Sequence, residues 1–304
     1  MAQLFDAYVM VDWSAAAKPV TGTNSIWIGV LAKDARLKFQ FRAVNPDTRL
    51  KARAFIADMV GKLTKRGDKV LLGFDFSLGF PAGTAEAMGL DLSAQPAWKA
   101  QFDYLSGKVR EKPDNSNARF AIAASMNYAI SKGPFPFWGA PARDQVNTLQ
   151  GSRPEFGEGA ALAEYRLTER HLRDTGLGQP KSSWQLAYAG SVGSQTLLGI
   201  PHVAWLANEL PSTRIWPFET GLQEFTEDSL EDTSVVIAEI YPSLVKAKPA
   251  EGQVLDQAQV EAIARHYWDL DAKGALGVHF SGPKGLSEAE MSQITAEEGW
   301  ILGT

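Results

Sequence analysis

Cysteine is absent from this 304-residue chain. Disulfides, thiolate zinc sites and thiol catalysis are therefore excluded, and the absence fits a reducing compartment. Histidine is scarce. His171, His202, His266 and His279 are the only four, and none lies within four residues of another, so no local histidine zinc motif exists. Any catalytic metal must rest mainly on oxygen ligands. No apolar run approaches the roughly 18 residues that a membrane-spanning helix needs. The amino terminus, Met1-Ala2-Gln3-Leu4-Phe5-Asp6, lacks a basic stretch and carries an acid early, unlike a signal peptide. A cytoplasmic protein without a membrane partner is expected. Positive charge is also in deficit, at a net −5. That counts against coating duplex nucleic acid through many phosphate contacts, though a small basic groove remains compatible with it.

What is present is an ordinary globular composition, 45% hydrophobic and 21% charged, with ample length for a large core. Three apolar runs each end in an acid: Tyr8-Val9-Met10-Val11-Asp12, Val70-Leu71-Leu72-Gly73-Phe74-Asp75, and Val235-Val236-Ile237-Ala238-Glu239. A carboxylate inside an apolar strand is costly to desolvate unless something pairs with it. Three converging on adjacent strands would suit a hard divalent cation. Taken singly, an Asp at a strand end equally serves to cap the next turn.

Residues 7–13 and 25–32 read as strands, and Leu37 to Val44 alternates with the period of two expected of a strand with one wet face. Lys33 to Arg36 is a tight turn between them. A helix follows from Asn45-Pro46-Asp47, with Phe55, Ile56, Met59, Val60 and Leu63 as its apolar stripe and Gly67 as its punctuation. The Asp75 strand comes next. In this β-β-β-α-β order, a right-handed crossover returns the fourth strand beside the first and parallel to it. Asp12 and Asp75 then become neighbours at the carboxyl edge, where open α/β sheets take ligands. Further on, helices are expected over Ala118–Ile130, Ala160–Arg173, 193–209 (broken or kinked at Pro201) and Asp256–Asp269, with a strand over Thr213–Phe218 and a short acidic helix after Leu286.

The three acid-bearing motifs on this order resemble the ribonuclease H-like fold. More narrowly, Val11-Asp12-Trp13-Ser14, Gly73 to Pro81 and Ala238-Glu239-Ile240-Tyr241-Pro242 resemble the DUF429 family of predicted ribonuclease H-fold nucleases, as do Glu164 to Glu169 and Ser182-Ser183-Trp184. The resemblance implies an α/β protein built as one elaborated domain over 1–304. It would have a mixed five-stranded sheet and a mostly helical insertion at about 85–230. It implies Asp12, Asp75 and Glu239 as catalytic ligands of Mg²⁺ or Mn²⁺, in a pair of ions about 3.5–4 Å apart that cleaves a phosphodiester of nucleic acid or nucleotide. A fourth ligand would come from a C-terminal helix, at Asp256 or Glu261; their spacing of five lets only one point inward, and Asp256 equally suits an N-cap.

Other readings of these residues stay open. Relatives in the superfamily include small-molecule phosphotransferases, in which Ser14 and the turn after Asp12 would meet phosphate. Some relatives also carry a molybdopterin-guanine-dinucleotide label that these residues do not support. Gly190-Ser191-Val192-Gly193-Ser194-Gln195 stands before a helix and reads either as a phosphate loop, with Ser191 and Ser194 as donors, or as a plain turn. Arg166, Arg170 and Arg173 share one helical face. They form either a salt-laced surface or, through Arg166 and Arg170, a phosphate clamp. A non-catalytic binding protein that keeps the fold is the remaining alternative. A basic groove beside the carboxylates would favour a nuclease, a closed cleft facing Gly190 to Ser194 a phosphotransferase, and acids splayed apart or paired with arginines a binding protein.

Overall fold

The computed structural model describes residues 3–34, 36–188 and 190–304. Met1 and Ala2 of the amino-terminal stretch, and Ala35 of the expected turn, lie outside these. The opening follows the expected order. Strands β1 (Ala7–Asp12), β2 (Trp27–Lys33) and β3 (Phe39–Val44) form an antiparallel meander. Helix α1 (Arg49–Lys65) starts later than the Asn-Pro-Asp signal suggests, because Thr48 is its N-cap and accepts from the Lys51 amide. Its stripe of Ile56, Met59, Val60 and Leu63 is buried, and the chain leaves it through Gly67 at φ +92°, a conformation other residues seldom adopt. Strand β4 (Val70–Phe74) then lies parallel to β1.

Between β4 and the last strand come α2 (Thr84–Ala87), α3 (Ala97–Lys108), α4 (Arg119–Ser131), α5 (Leu167–Asp174), α6 (Gly193–Glu209) and a short strand β5 (Thr213–Ile215). Strand β6 (Val235–Glu239) pairs in parallel with both β4 and β5. Helices α7 (Leu255–Ala272) and α8 (Glu288–Gln293) follow, and a π-helical turn, Ile294–Glu298, continues α8. The mixed sheet has six strands in the order β3-β2-β1-β4-β6-β5, one more than expected. The sixth is β5, which lies within the strand expected over Thr213–Phe218 but ends at Ile215; its parallel pairing with β6 at the sheet edge is a long-range contact that the local sequence does not encode. Two helices also depart from expectation. The helix foreseen over 160–173 begins only at Leu167, and α6 passes through Pro201 unbroken. A proline costs a helix one backbone hydrogen bond. Here Leu197, Leu198, Ile200, Val203 and Leu206 are buried on both sides of it, and their packing holds the two halves in line.

The two sheet faces bury different sets. Val9, Val11, Leu72, Phe74 and Ile237 pack against α1 and α6, through Ile56, Leu198 and Val203. Tyr8, Met10, Leu71, Val236 and Ala238 pack against Val260, Ile263, Ala264 and Tyr267 of α7. Truncating any of the fully buried aliphatics in such layers costs about 2–5 kcal/mol. Just past β4, Phe76 presses its ring on α6 where Gly199 sits; a Cβ there would fall 2.3 Å from the ring. That close approach fixes α6, and with it the turn before α6, against the segment that carries Asp75.

Candidate functional site

Asp12 and Asp75 are brought together by the β1–β4 ladder. Val11 is in register with Phe74, and the Asp75 amide donates to the Val11 carbonyl at 2.9 Å, so the two acids sit side by side on strands roughly 4.8 Å apart. Alternation puts them on the α7 face with Tyr8, Met10 and Leu71. No hydrogen-bond donor among the described residues reaches either carboxylate. Burial pushes the Asp75 carboxyl up to about 7, and the charges of Glu239 and Asp256 add to it. Burial likewise holds Asp12 well above the usual carboxylate range, reinforced by Asp75 and Asp256. Asp256 lies in the first turn of α7 and accepts from the Asn24 amide at 2.7 Å. It is not the N-cap, a position held by Val254.

Glu239 departs from the expected set. It is in register with Phe74, not with Asp75, so alternation turns it toward the Val235 and Ile237 face. There the fully buried Arg166 donates to both its oxygens, from Nη2 to Oε1 at 2.6 Å and from Nη1 to Oε2 at 2.8 Å, and the Leu78 amide donates at 2.9 Å. Arg166 also donates to Glu169 and to the Glu298 carbonyl. Burial opposes its charge, but Glu169 and Glu239 outweigh that and hold its proton. Glu239 is thus the partner of a structural arginine rather than a free ligand, and Arg166 is not free to clamp phosphate.

The other expected residues divide. Because Arg166 precedes α5, the three arginines do not share one helical face, and Arg170 lines a separate groove with Phe156 and Tyr165. Ser14 is buried and donates to the Asn24 carbonyl. Ser194 is buried, donating to the Leu186 carbonyl and accepting from Arg119; it serves the fold. Ser191 does reach the site. Asp271, at the end of α7, accepts from the Leu4 and Phe5 amides and from the Tyr8 hydroxyl, tying the amino-terminal segment to α7.

A cleft of about 210 Å³ opens across the strand ends. Asp75 and Glu239, the Gly190, Ser191, Val192 and Gln195 stretch, and Ser77, Lys181 and Tyr241 line it. Ser77, Gln195 and Tyr241 lay within segments singled out in the sequence but were given no role there. Only the fold brings the start of α6 over the end of β4, and a serine two residues after an acid carries no signal of its own. Among the described residues, no group of three or more His, Cys, Asp or Glu side chains is arranged to hold a metal ion by itself. The Asp12–Asp75 pair nevertheless offers unpartnered hard-oxygen donors whose mutual repulsion a divalent cation relieves. Mg²⁺ commonly binds through one or two carboxylates, with water and substrate phosphate completing its shell. The residues therefore fit such an ion, whereas a cage of protein ligands is not present. Comparison of the chain with protein-family models, curated proteins and solved structures found no match.

Proposed function

We propose that this chain performs metal-dependent phosphoryl chemistry on a ribonuclease H-like core: hydrolysis of a phosphodiester in a nucleotide or a nucleic-acid end. Asp12 and Asp75 hold Mg²⁺ or Mn²⁺, with Asp256 nearby as a third acid. One observation carries the reading: two carboxylates at neighbouring strand ends with no donor among the described residues, one of them, Asp75, lining a cleft, each pushed up by burial and by neighbouring acids. A fold does not retain such repulsion for stability, and strongly perturbed groups in a cleft mark functional sites. Bound there, a divalent ion supplies Lewis-acid stabilisation of charge developing on phosphoryl oxygens. The chain's own contribution is to present the two carboxylates on adjacent strands and, through the Arg166–Glu239 pair, to keep the cleft floor rigid. The cleft is small beside common ligand pockets of about 300–1,000 Å³. Its one lining cation outside the buried Arg166 network is the exposed Lys181, which favours a nucleotide or strand end over a duplex.

The test is calorimetric Mn²⁺ titration of wild type, Asp12→Asn and Asp75→Asn, paired with hydrolysis of bis(p-nitrophenyl) phosphate. Binding and turnover in wild type, lost in both folded variants, is the expected result. A wild type that neither binds Mn²⁺ in the presence of the phosphodiester nor hydrolyses it overturns the reading. A small-molecule phosphotransferase is the second reading, favoured by the Gly190–Ser191 turn that faces the cleft.

A further inference from the structure

The start of α6 borders the cleft and leaves backbone donors open. Its N-cap, Val192, has no side chain able to cap, and its first turn holds no acid. The Gly193 amide is taken by the Gln185 carbonyl at 2.9 Å, and the Thr196 amide by that of Val192 at 2.9 Å. The amides of Val192, Ser194 and Gln195 have no acceptor among the described residues. Gly193 is required here because a Cβ would fall 2.4 Å from the Ser183 carbonyl oxygen. The turn is thereby seated on the Ser183–Gln185 backbone, and its open amides belong to the wall made of Val192 and Gln195. A helix of 17 residues presents a partial positive charge at this end.

A second observation comes from the segment that follows β4. Ser77 is only 2% exposed, yet it lines the same cleft and its hydroxyl has no hydrogen-bond partner among the described residues. The Ser77 hydroxyl is not among the fully enclosed polar atoms that lack a partner, so it is open to the cleft and free to donate to a ligand oxygen there. Ser191 adds a half-buried hydroxyl, and Lys181 an ammonium. The carboxylates of Asp75, Glu169 and Glu239 also line the cleft, but the latter two share the Arg166 guanidinium. Asp75 is the one acid of the cleft without a cationic partner.

We propose that the α6 N-terminus, with Ser77, Ser191 and Lys181, is a seat for the phosphate group of a phosphorylated small molecule or nucleotide, facing the Asp75 carboxylate across the cleft. The open amides and hydroxyls donate to the phosphate oxygens, as at other helix N-termini. A phosphate held here lies beside Asp75, and its part in turnover depends on the reading of Asp12 and Asp75 as a metal site. The seat sets substrate class: compounds bearing an accessible phosphate bind, and neutral analogues do not.

Inorganic phosphate is the probe, titrated calorimetrically into the full chain, first after EDTA treatment and then with saturating Mn²⁺. Wild type is expected to bind phosphate in metal-free buffer and more tightly with Mn²⁺. Gln195→Glu places a carboxylate in the first turn and should weaken phosphate by about tenfold or more while the helix content by circular dichroism is unchanged. Ser77→Ala, a small deletion, should weaken it severalfold. Asp75→Asn should lose Mn²⁺ yet keep metal-free phosphate binding. The two failures are separable: Mn²⁺ binding without any phosphate binding overturns the seat alone, and phosphate binding without Mn²⁺ binding overturns the metal reading alone. Phosphate affinity unchanged in both Gln195→Glu and Ser77→Ala also overturns the seat.

Discussion

Arg166 grips Glu239 with both terminal nitrogens, at 2.6 and 2.8 Å, across 73 residues of chain. The pair is fully enclosed, and Arg166 simultaneously holds Glu169 beside it. One guanidinium is thus the shared counter-charge of two buried acids and joins α5 to β6.

Removing that guanidinium strands both acids. Arg166→Met should destabilise the chain by about 3–5 kcal/mol, the usual cost of breaking a buried pair on one side. Glu239→Gln should cost less, because the amide oxygen still accepts one donor. Urea unfolding of the two variants checks the order; a Glu239→Gln loss as large as that of Arg166→Met would count against Arg166 acting chiefly as the shared counter-charge.

The Asp75 carboxyl makes stability depend on pH in an unusual direction. Its pKa rises from 3.8 to about 7 on folding, so the folded chain binds more protons than the unfolded one between those values. The stabilisation is complete below about pH 4 and is lost as pH rises toward 7. Asp75→Asn should therefore match wild type near pH 4 and exceed it at pH 8, by on the order of 1–3 kcal/mol. Metal-free thermal melts at both pH values test the sign. Adding Mn²⁺ at pH 8 should raise the wild-type melting temperature and leave that of the variant unchanged.

His202 acts in the opposite sense. Its Nε2 lies 2.9 Å from Glu111, whose other oxygen meets the buried Arg49, and its Nδ1 has no partner among the described residues. Burial lowers its pKa, against the pull of Glu111 and with the help of Arg53 and Arg49. The folded chain then binds fewer protons, and stability is lost as pH falls from about 6.5 toward the lowered value. His202→Gln should show a smaller drop in melting temperature than wild type between pH 7 and pH 5. An equal drop would remove His202 as a source of that acid sensitivity.

The opening of the fold was legible because its signals are local. Alternation over Leu37–Val44 and the stripe from Ile56 to Leu63 are set by neighbours in sequence, and they predicted β1, β4 and the nearness of Asp12 and Asp75. The middle was less so. Arg166 was read onto a helix that begins one residue after it, and Pro201 was read as a break that core packing overrides. Local preference is worth a few tenths to a few kcal/mol, which burial of several aliphatic side chains exceeds.

By itself, the sequence determined that two acids end neighbouring parallel strands, since strand order and side-chain parity follow from periodicity and a right-handed crossover. Only the tertiary structure decided which carboxylates stay free. Glu239 lies one register step from Asp75 and faces the other side of the sheet, where a buried arginine from α5's N-cap meets it. Pairing of that kind depends on how distant segments pack, and desolvation then separates the acids: Glu239 meets a guanidinium, whereas Asp75, without one, has its pKa pushed up by burial.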